Sequence, residues 1–587
     1  MENDQNHHSM KAWIDYLSMQ KIAKEKQQQA AELMQHVFDA IEQGDSCLMC
    51  SWAQAQSLGD LVTQIEAGQA VDIRPFVYTQ DRLYLYRYWL LESRLAQLIR
   101  QFKTQPALPI DLQPRHLDLL EDPHQQKAMQ MVANERLSII TGGPGTGKTY
   151  TLARIIAVLN EAIPQIRIAM AAPTGKAAQR MKEALQGSFE DEKLSSFMSE
   201  ELQQMTPITL HRLLGMGESQ VPRYHAGRVL PFDVVVVDEA SMLDLHLATL
   251  LFAALGENTR LILLGDAEQL ASVDVGAILA DLQQMEYLNE NRMNLVTSRR
   301  FDGEKLIGRM AKFIQTNQSA DAVLTRFEQD IVKAQAWQNV DLDAHVEDVI
   351  QLQYLPQPSL DFYASAWDDY YNQLISGFTA YIEKIRRYQK ADEQQRAELF
   401  LALVDQFDDY RILTPMRHGR LGLIQLNEQI EQRILTATAQ LKVGEWYLGR
   451  PVMMTYNDYQ LGLSNGDIGI CLEQRHQGKL QFAVYFPSLK KWVMASRLPK
   501  NILTAYAMTI HKSQGSEFKH TAVVLEEQAQ QLLSKELIYT AITRAKKVVS
   551  LLVAPSAFEQ ALTRQTSRTT GLQQQLQHTF VSNANFS

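Results

Sequence analysis

Gly142-Gly143-Pro144-Gly145-Thr146-Gly147-Lys148-Thr149 is the stretch on which the reading of this chain turns. A glycine, four further residues and then Gly147, Lys148 and Thr149 give the spacing of a phosphate-binding loop. Glycines let successive backbone N–H groups point into one concavity, with no Cβ between them and an anion. Lys148 is long enough to reach β- and γ-phosphates, and the Thr149 hydroxyl can ligate Mg²⁺. The flanks agree. Leu137-Ser138-Ile139-Ile140 is a short apolar run before the loop, and Leu152, Ile155, Ile156 and Leu159 form an i, i+3, i+4, i+7 stripe behind it. Strand, loop and helix N-terminus together make an anion site, for which ATP with Mg²⁺ is the expected occupant.

The chain has 587 residues, room for about four ordinary domains. Its 45% apolar and 21% charged content is that of a globular chain. A net charge of −10 excludes a uniformly basic coat but not a local channel that holds a nucleic-acid strand. Three cysteines leave no disulfide framework and point to a reducing cytoplasm. Cys47 and Cys50 form a CxxC without a second pair, which reads as two half-buried thiols rather than a zinc site. The first residues lack a basic and an apolar region, so no signal peptide is expected. No apolar run approaches the roughly 18 residues of a membrane helix, and no membrane partner is expected.

Residues 1–110 carry no nucleotide chemistry, and 22–41 and 83–99 have helical periodicity. Pro106, Pro109 and Pro114 mark a linker. From 111 to 300, apolar strands at 137–140, 166–171, 234–237 and 261–264 alternate with helical patterns, which implies a parallel sheet covered on both faces. Residues 305–405 read as mostly helical. A second α/β region occupies 301–439 and 501–565, with strands near 412–413, 522–525 and 548–553. Short strands and the turn Ser464-Asn465-Gly466-Asp467 make 440–500 a small β insertion. The Gln-, Ser- and Thr-rich segment 566–587 is expected to be a mobile tail.

Further blocks carry chemistry. Val234-Val235-Val236-Val237 ends in Asp238 and Glu239. Asp238 suits Mg²⁺, and Glu239 can orient or deprotonate an attacking water. Gly265-Asp266-Ala267-Glu268-Gln269 follows another strand, and Gln269 can sense a γ-phosphate. Gln125 or Gln126 can pair with the N6 and N7 edge of adenine, with Gln125 favoured. Arg300 and Arg544 stand apart from the first α/β region and can supply positive charge from a second lobe.

These blocks, in this order, resemble the first helicase superfamily. The wording of Gly449-Arg450-Pro451-Val452-Met453, Asn465-Gly466-Asp467-Ile468-Gly469 and Met508-Thr509-Ile510-His511-Lys512-Ser513-Gln514-Gly515-Ser516-Glu517-Phe518 is similar to the RecD family, the alpha subunits of exodeoxyribonuclease V. The resemblance spans roughly residues 110–560. It implies two RecA-like motor lobes, an N-terminal helical domain that docks on a partner, and an SH3-like β insertion. It implies a 5′→3′ helicase acting on single-stranded and duplex-end DNA, in a heterotrimer with RecB-like and RecC-like subunits, in double-strand break repair and recombination. By the same resemblance Thr174, His211, Thr509, His511, Ser513 and Gln514 line the DNA path, and Glu517 lies near the nucleotide sugar. Nuclease chemistry is expected on a partner chain, because no separate cluster of acids and a lysine stands in this sequence. The alternative is a stand-alone helicase of the same kind.

Overall fold

The computed structural model describes residues 2–65, 72–105, 107–217, 220–297, 305–316, 319–332, 337–338, 340, 342, 346, 348–356, 364–458, 460–476 and 479–584. Four sheets organise them. The strands are β1 Leu48–Met49, β2 Val62–Gln64, β3 Phe76–Thr79 and β4 Arg82–Leu85 in the N-terminal unit, then β5 Leu137–Gly142, β6 Ile168–Ala172, β7 Ile208–Thr209, β8 Val234–Val237, β9 Arg260–Gly265 and β10 Arg292–Leu295. There follow β11 Val349–Tyr354, β12 Tyr410–Thr414, β13 Pro451–Met453, β14 Ile468–His476, β15 Lys479–Phe486, β16 Lys491–Met494, β17 Leu503–Thr504, β18 Ala507–Thr509, β19 Phe518–Leu525 and β20 Ala545–Val553.

The N-terminal unit is helical, as expected, and carries a small sheet as well. Helices Glu2–Lys21 and Gln27–Glu42 pack beside a sheet of order β1-β4-β3-β2. Gln80 and Asp81 both adopt positive φ, 49° and 58°, which gives the tight turn that suits the twist of the β3–β4 hairpin. The expected helix over 83–99 therefore starts at Tyr86 and runs to Thr104. Strands of two to four residues are too short to impose a legible period of two.

The first lobe has the order β10-β5-β9-β8-β6-β7, with every neighbour parallel. Its strand residues alternate between two cores. Leu137, Ile139, Val235, Val237, Leu261 and Leu263 face one, and Ile140, Val234, Val236, Ile262 and Leu264 face the other. Burial on both faces is why the strands read as unbroken apolar runs. The second lobe repeats the arrangement in the order β11-β20-β19-β12-β18, again all parallel. Helices Ala364–Ser376, Thr379–Lys390 and Glu393–Phe407 lie between β11 and β12 in sequence. Between β12 and β18 an antiparallel sheet, β16-β15-β14-β13-β17, forms a module with its own small core around Val452, Cys471 and Val484.

The tail departs from the expected mobile segment. Residues 564–571 run back over the first lobe and end in the helix Leu572–Ala584, whose Leu572 and Leu576 are buried in the same core as Leu95 and Ile99. Arg568 donates to the carbonyls of Asp274 and Gly276, both at 2.7 Å, and Thr569 N donates to Asp45 Oδ1 at 2.7 Å. A polar strap with satisfied hydrogen bonds needs no apolar composition to be ordered. Its last anchor is Glu92, which is buried and accepts from Ser46 Oγ (2.5 Å) and Gly571 N (3.1 Å). Burial pushes the Glu92 carboxyl up to about 7, against the lowering effect of those donors. The folded chain thus holds this proton more tightly than the unfolded one. That stabilisation is complete below the unfolded carboxyl value of about 4.3 and is lost as pH rises through about 7. Glu92→Gln stays neutral throughout. Between pH 5 and 8 the thermal midpoint of the wild-type chain is expected to drop by about 2–4 °C relative to that variant. Parallel midpoints across the range would contradict the assignment. Among the described residues no helix is long and apolar enough to cross a membrane.

Candidate active site

The C-terminal ends of β5, β8 and β9 carry the chemistry of the first lobe, the usual position for ligands on a parallel sheet. The loop after β5 turns on Gly145 (φ 77°) and Gly147 (φ 82°), and Gly147 directly precedes the helix Lys148–Ala162. A side chain at Gly147 would be strained, and its Cβ would lie 2.7 Å from Gln125 Nε2. Lys148 Nζ donates to the carbonyls of Gly142 (2.6 Å) and Gly143 (3.2 Å), so the ammonium is folded onto its own loop.

Asp238 and Glu239 follow β8. Glu239 holds a left-handed backbone (φ 52°), rare for this residue type, and its N–H donates to Asp238 Oδ1 at 2.8 Å. Burial and the adjacent Glu239 push the Asp238 carboxyl up to about 6, while Lys148 and Arg180 pull it down. A bound cation would supply the missing positive charge. After β9, Asp266 Oδ2 accepts from Gln269 Nε2 at 3.2 Å, and burial raises this carboxyl too.

The second lobe faces these groups. A cavity of about 280 Å³ is lined by Lys148, Thr149, Asp238, Glu239 and Gln269 from the first lobe, together with Pro144, Gly145 and Gly147 of the loop, and by Gly515, Glu517 and Arg544 from the second. Arg544 is buried and donates to Thr540 O (3.0 Å), Ser516 O (3.2 Å) and Thr543 Oγ1 (3.3 Å), all uncharged acceptors. Burial lowers its pKa, partly offset by Glu239. A buried guanidinium held by neutral groups is an anion-seeking charge.

The glutamine alternatives separate here. Gln126 Nε2 donates to Leu117 O (3.3 Å) and Leu120 O (2.8 Å), so its amide is spent on the chain. Gln125 Nε2 sits against Thr146 O (3.4 Å), and its Oε1 is buried without a hydrogen-bond partner among the described residues. Gln269 Oε1 is in the same state. Orphaned buried acceptors, one against the phosphate-binding loop and one lining the cavity, suit a ligand that brings donors. Gln125→Ala should raise the KM for ATP about tenfold and narrow the preference for ATP over GTP. Unchanged base selectivity would place adenine elsewhere.

Glu517 lines the cavity but is ion-paired, with Arg180 at 2.6 Å across the lobe boundary and Lys546 at 3.4 Å. Thr174 caps the helix Gly175–Phe189, accepting from Ala177 N at 3.2 Å. A Cβ on Gly175 would lie 3.3 Å from Ser464, so the turn 464–467 of the β module closes over that helix N-terminus. Lys512 Nζ donates to Asn465 Oδ1 (2.8 Å), and Thr509 Oγ1 accepts from Lys512 N (3.3 Å). His211 and His511 are partly exposed, and burial lowers both imidazoles. Ser513 and Gln514 face inward, against the expectation that they line a DNA path. Ser513 is fully buried and donates to Ile510 O, and Gln514 Nε2 donates to Leu270 O at 2.8 Å, because their turn packs into the lobe boundary. Arg300 lies outside the described residues. Arg180, Tyr539 and Thr540 belong to this site without having been singled out from sequence. Arg180 falls on the helix behind Thr174, and Tyr539 stands five residues before Arg544.

Two parallel-sheet lobes that enclose one phosphate-loop cavity, with the second lobe supplying an arginine, define a two-lobed helicase ATPase. A family model described as an AAA domain matches residues 125–275, and one described as a UvrD-like helicase C-terminal domain matches 504–552. The chain is 33% identical over 554 residues to the RecBCD enzyme subunit RecD of Haemophilus influenzae, covering 85% of this chain and 81% of that one. It is 36% identical over 507 residues to the RecD subunit of Mycolicibacterium smegmatis, covering 84% and 82%. The chain belongs to the RecD family. The ATP-dependent RecD2 DNA helicase of Deinococcus radiodurans is also similar, 28% identical over 495 residues, covering 83% of this chain but 57% of that protein.

Proposed function

We propose that this chain is the ATP-driven 5′→3′ DNA motor subunit of a cytoplasmic helicase–nuclease complex, acting at DNA ends in double-strand break repair and recombination beside RecB-like and RecC-like subunits. The observation that carries the reading is the cavity shared by both lobes. A ligand that needs Lys148 and Arg544 together draws the lobes together, and its loss lets them part.

Thr149 and Asp238 would hold Mg²⁺, which supplies charge neutralisation to the phosphates when bound. Lys148 moves from the loop carbonyls to the phosphates, Glu239 accepts the proton of the attacking water, and Gln269 orients that water. Closure moves the second lobe, with Thr509 and Lys512, relative to the helix N-terminus at Thr174. Hydroxyls and helix N-termini grip phosphates without reading bases. Alternate tightening of the two lobes on the strand converts closure into movement.

Partner docking has its own support. Trp13, Tyr16 and Met19 recur every third residue on the helix Glu2–Lys21 and are 43%, 62% and 72% exposed. Such a stripe on a water-facing helix suits a protein partner. The chain is 33% and 36% identical to the two RecD subunits but 28% identical to the RecD2 helicase, which favours the subunit reading. The test is ATP hydrolysis with and without single-stranded DNA, displacement of a streptavidin block from each DNA end, and co-purification with RecB-like and RecC-like chains. Displacement at the 3′ end only is expected of a 5′→3′ motor. Displacement at the 5′ end only would overturn the polarity, and purification alone would favour the stand-alone reading.

A further inference from the structure

One carboxylate in the nucleotide cleft, Asp266, takes donors from both lobes. Asp266 Oδ1 accepts from Glu268 N at 3.1 Å, and Oδ2 accepts from Gln269 Nε2 at 3.2 Å. The third donor comes from the other lobe: the Tyr539 hydroxyl donates to Oδ2 at 3.0 Å. Tyr539 lies on the helix Lys535–Ile542, just ahead of Arg544. The same helix presents Thr540 Oγ1, which accepts from Leu270 N at 2.9 Å. The Tyr539 hydroxyl also borders the phosphate loop, since a Cβ on Gly143 would lie 3.1 Å from it.

We propose that Tyr539 is a positioning residue for hydrolysis: across the lobe boundary it fixes Asp266, and Asp266 holds the Gln269 amide with Oε1 turned away toward the reacting phosphate. A glutamine amide is two-faced, and a flip would present N–H₂ donors where an acceptor is needed. A carboxylate accepts and does not donate, so by taking Nε2 it specifies the orientation, and this carboxylate is itself held by donors from two lobes. When the lobes part, Asp266 loses Tyr539 and the amide loses its fixed orientation. Hydrolysis is thereby tied to the closed cleft, where Arg544 is also in place. Burial and the neighbouring Asp266 keep the Tyr539 phenol protonated, far above the ordinary range, so it remains a donor at any working pH.

The inference rests on the ATPase reading above, so the wild-type chain, alone or with its partner subunits, is assayed first. A wild-type protein without DNA-stimulated hydrolysis would overturn that reading and this one together, before any substitution. Given hydrolysis, kcat and KM are measured for Tyr539→Phe, Gln269→Ala and the double variant. Tyr539→Phe should lower kcat about tenfold with KM for ATP within about twofold of wild type. The double variant should match Gln269→Ala within about twofold, because Tyr539 acts through that amide. A further tenfold loss in the double variant would show that Tyr539 only glues the lobes, and wild-type kcat in Tyr539→Phe would equally overturn the proposal. Asp266→Asn keeps the shape but leaves one acceptor oxygen for three donors. It should reproduce the kcat loss and the same non-additivity with Gln269→Ala, and it decides the question should Tyr539→Phe fail to fold.

Discussion

Lys148→Gln should reduce kcat for ATP hydrolysis by about 10³-fold or more while leaving the fold intact. The substitution keeps most of the length of the side chain and can still donate to Gly142 O, which Lys148 Nζ now reaches at 2.6 Å. It removes the one positive charge that the first lobe can bring from the loop to the phosphates. Lys148 also lowers both Asp238 and Asp266, so its loss drives these buried carboxyls further toward the neutral form. Neutral acids hold a divalent cation poorly and fix Gln269 poorly. Two faults therefore follow from one change, and they compound in the transition state, where charge on the transferring group is most spread. Steady-state phosphate release gives the rate, and a thermal midpoint within about 2 °C of wild type shows the fold is kept. A folded variant that hydrolyses ATP at the wild-type rate would remove this loop from the reaction.

The parts of the site that were legible in the sequence are those where one conformation admits few residue types. Gly145 and Gly147 need positive φ beside a phosphate, and β8 must be apolar on both faces before it ends in Asp238 and Glu239. Local demands of that kind write themselves as local motifs. The contacts that join the lobes do not. Asp266 meets Tyr539 and Leu270 meets Thr540, pairs separated by 273 and 270 residues. No spacing rule connects them. Ser513 and Gln514 show the converse limit: a motif fixes residue identity but not which way a turn packs, and here both side chains serve the lobe boundary. In the tail, two buried leucines sit among glutamines, so composition hides a docked helix. The N-terminal sheet is hidden because the pairing of two- to four-residue strands is decided by a hairpin turn rather than by periodicity.

Arg544→Ala should retain ATP binding and lose turnover by about 10³-fold. The argument turns on where the charge sits before nucleotide arrives. Arg544 is 3% exposed and donates to three uncharged oxygens, so its guanidinium is prepositioned near Glu239 with no direct ion pair among the described residues. Such a group gains most when negative charge develops in front of it, and less from the ground-state triphosphate already held by Lys148 and the loop. Truncation also leaves Ser516 O and Thr540 O without this donor, at a cost of about 1–3 kcal/mol if both stay dry. Loss of stability could then masquerade as loss of catalysis. Arg544→Lys separates the two, because an ammonium restores the charge and one donor but not the planar fork. The expected order of kcat is wild type, then Lys, then Ala, with Kd for a fluorescent ATP analogue changing about threefold or less across the series. If Kd rises as steeply as kcat falls, Arg544 binds the ground state as strongly as the transition state and its role is to close the lobes. If Arg544→Ala turns over at the wild-type rate, the guanidinium is an internal strut of the second lobe, and the charge that completes the site comes from another arginine.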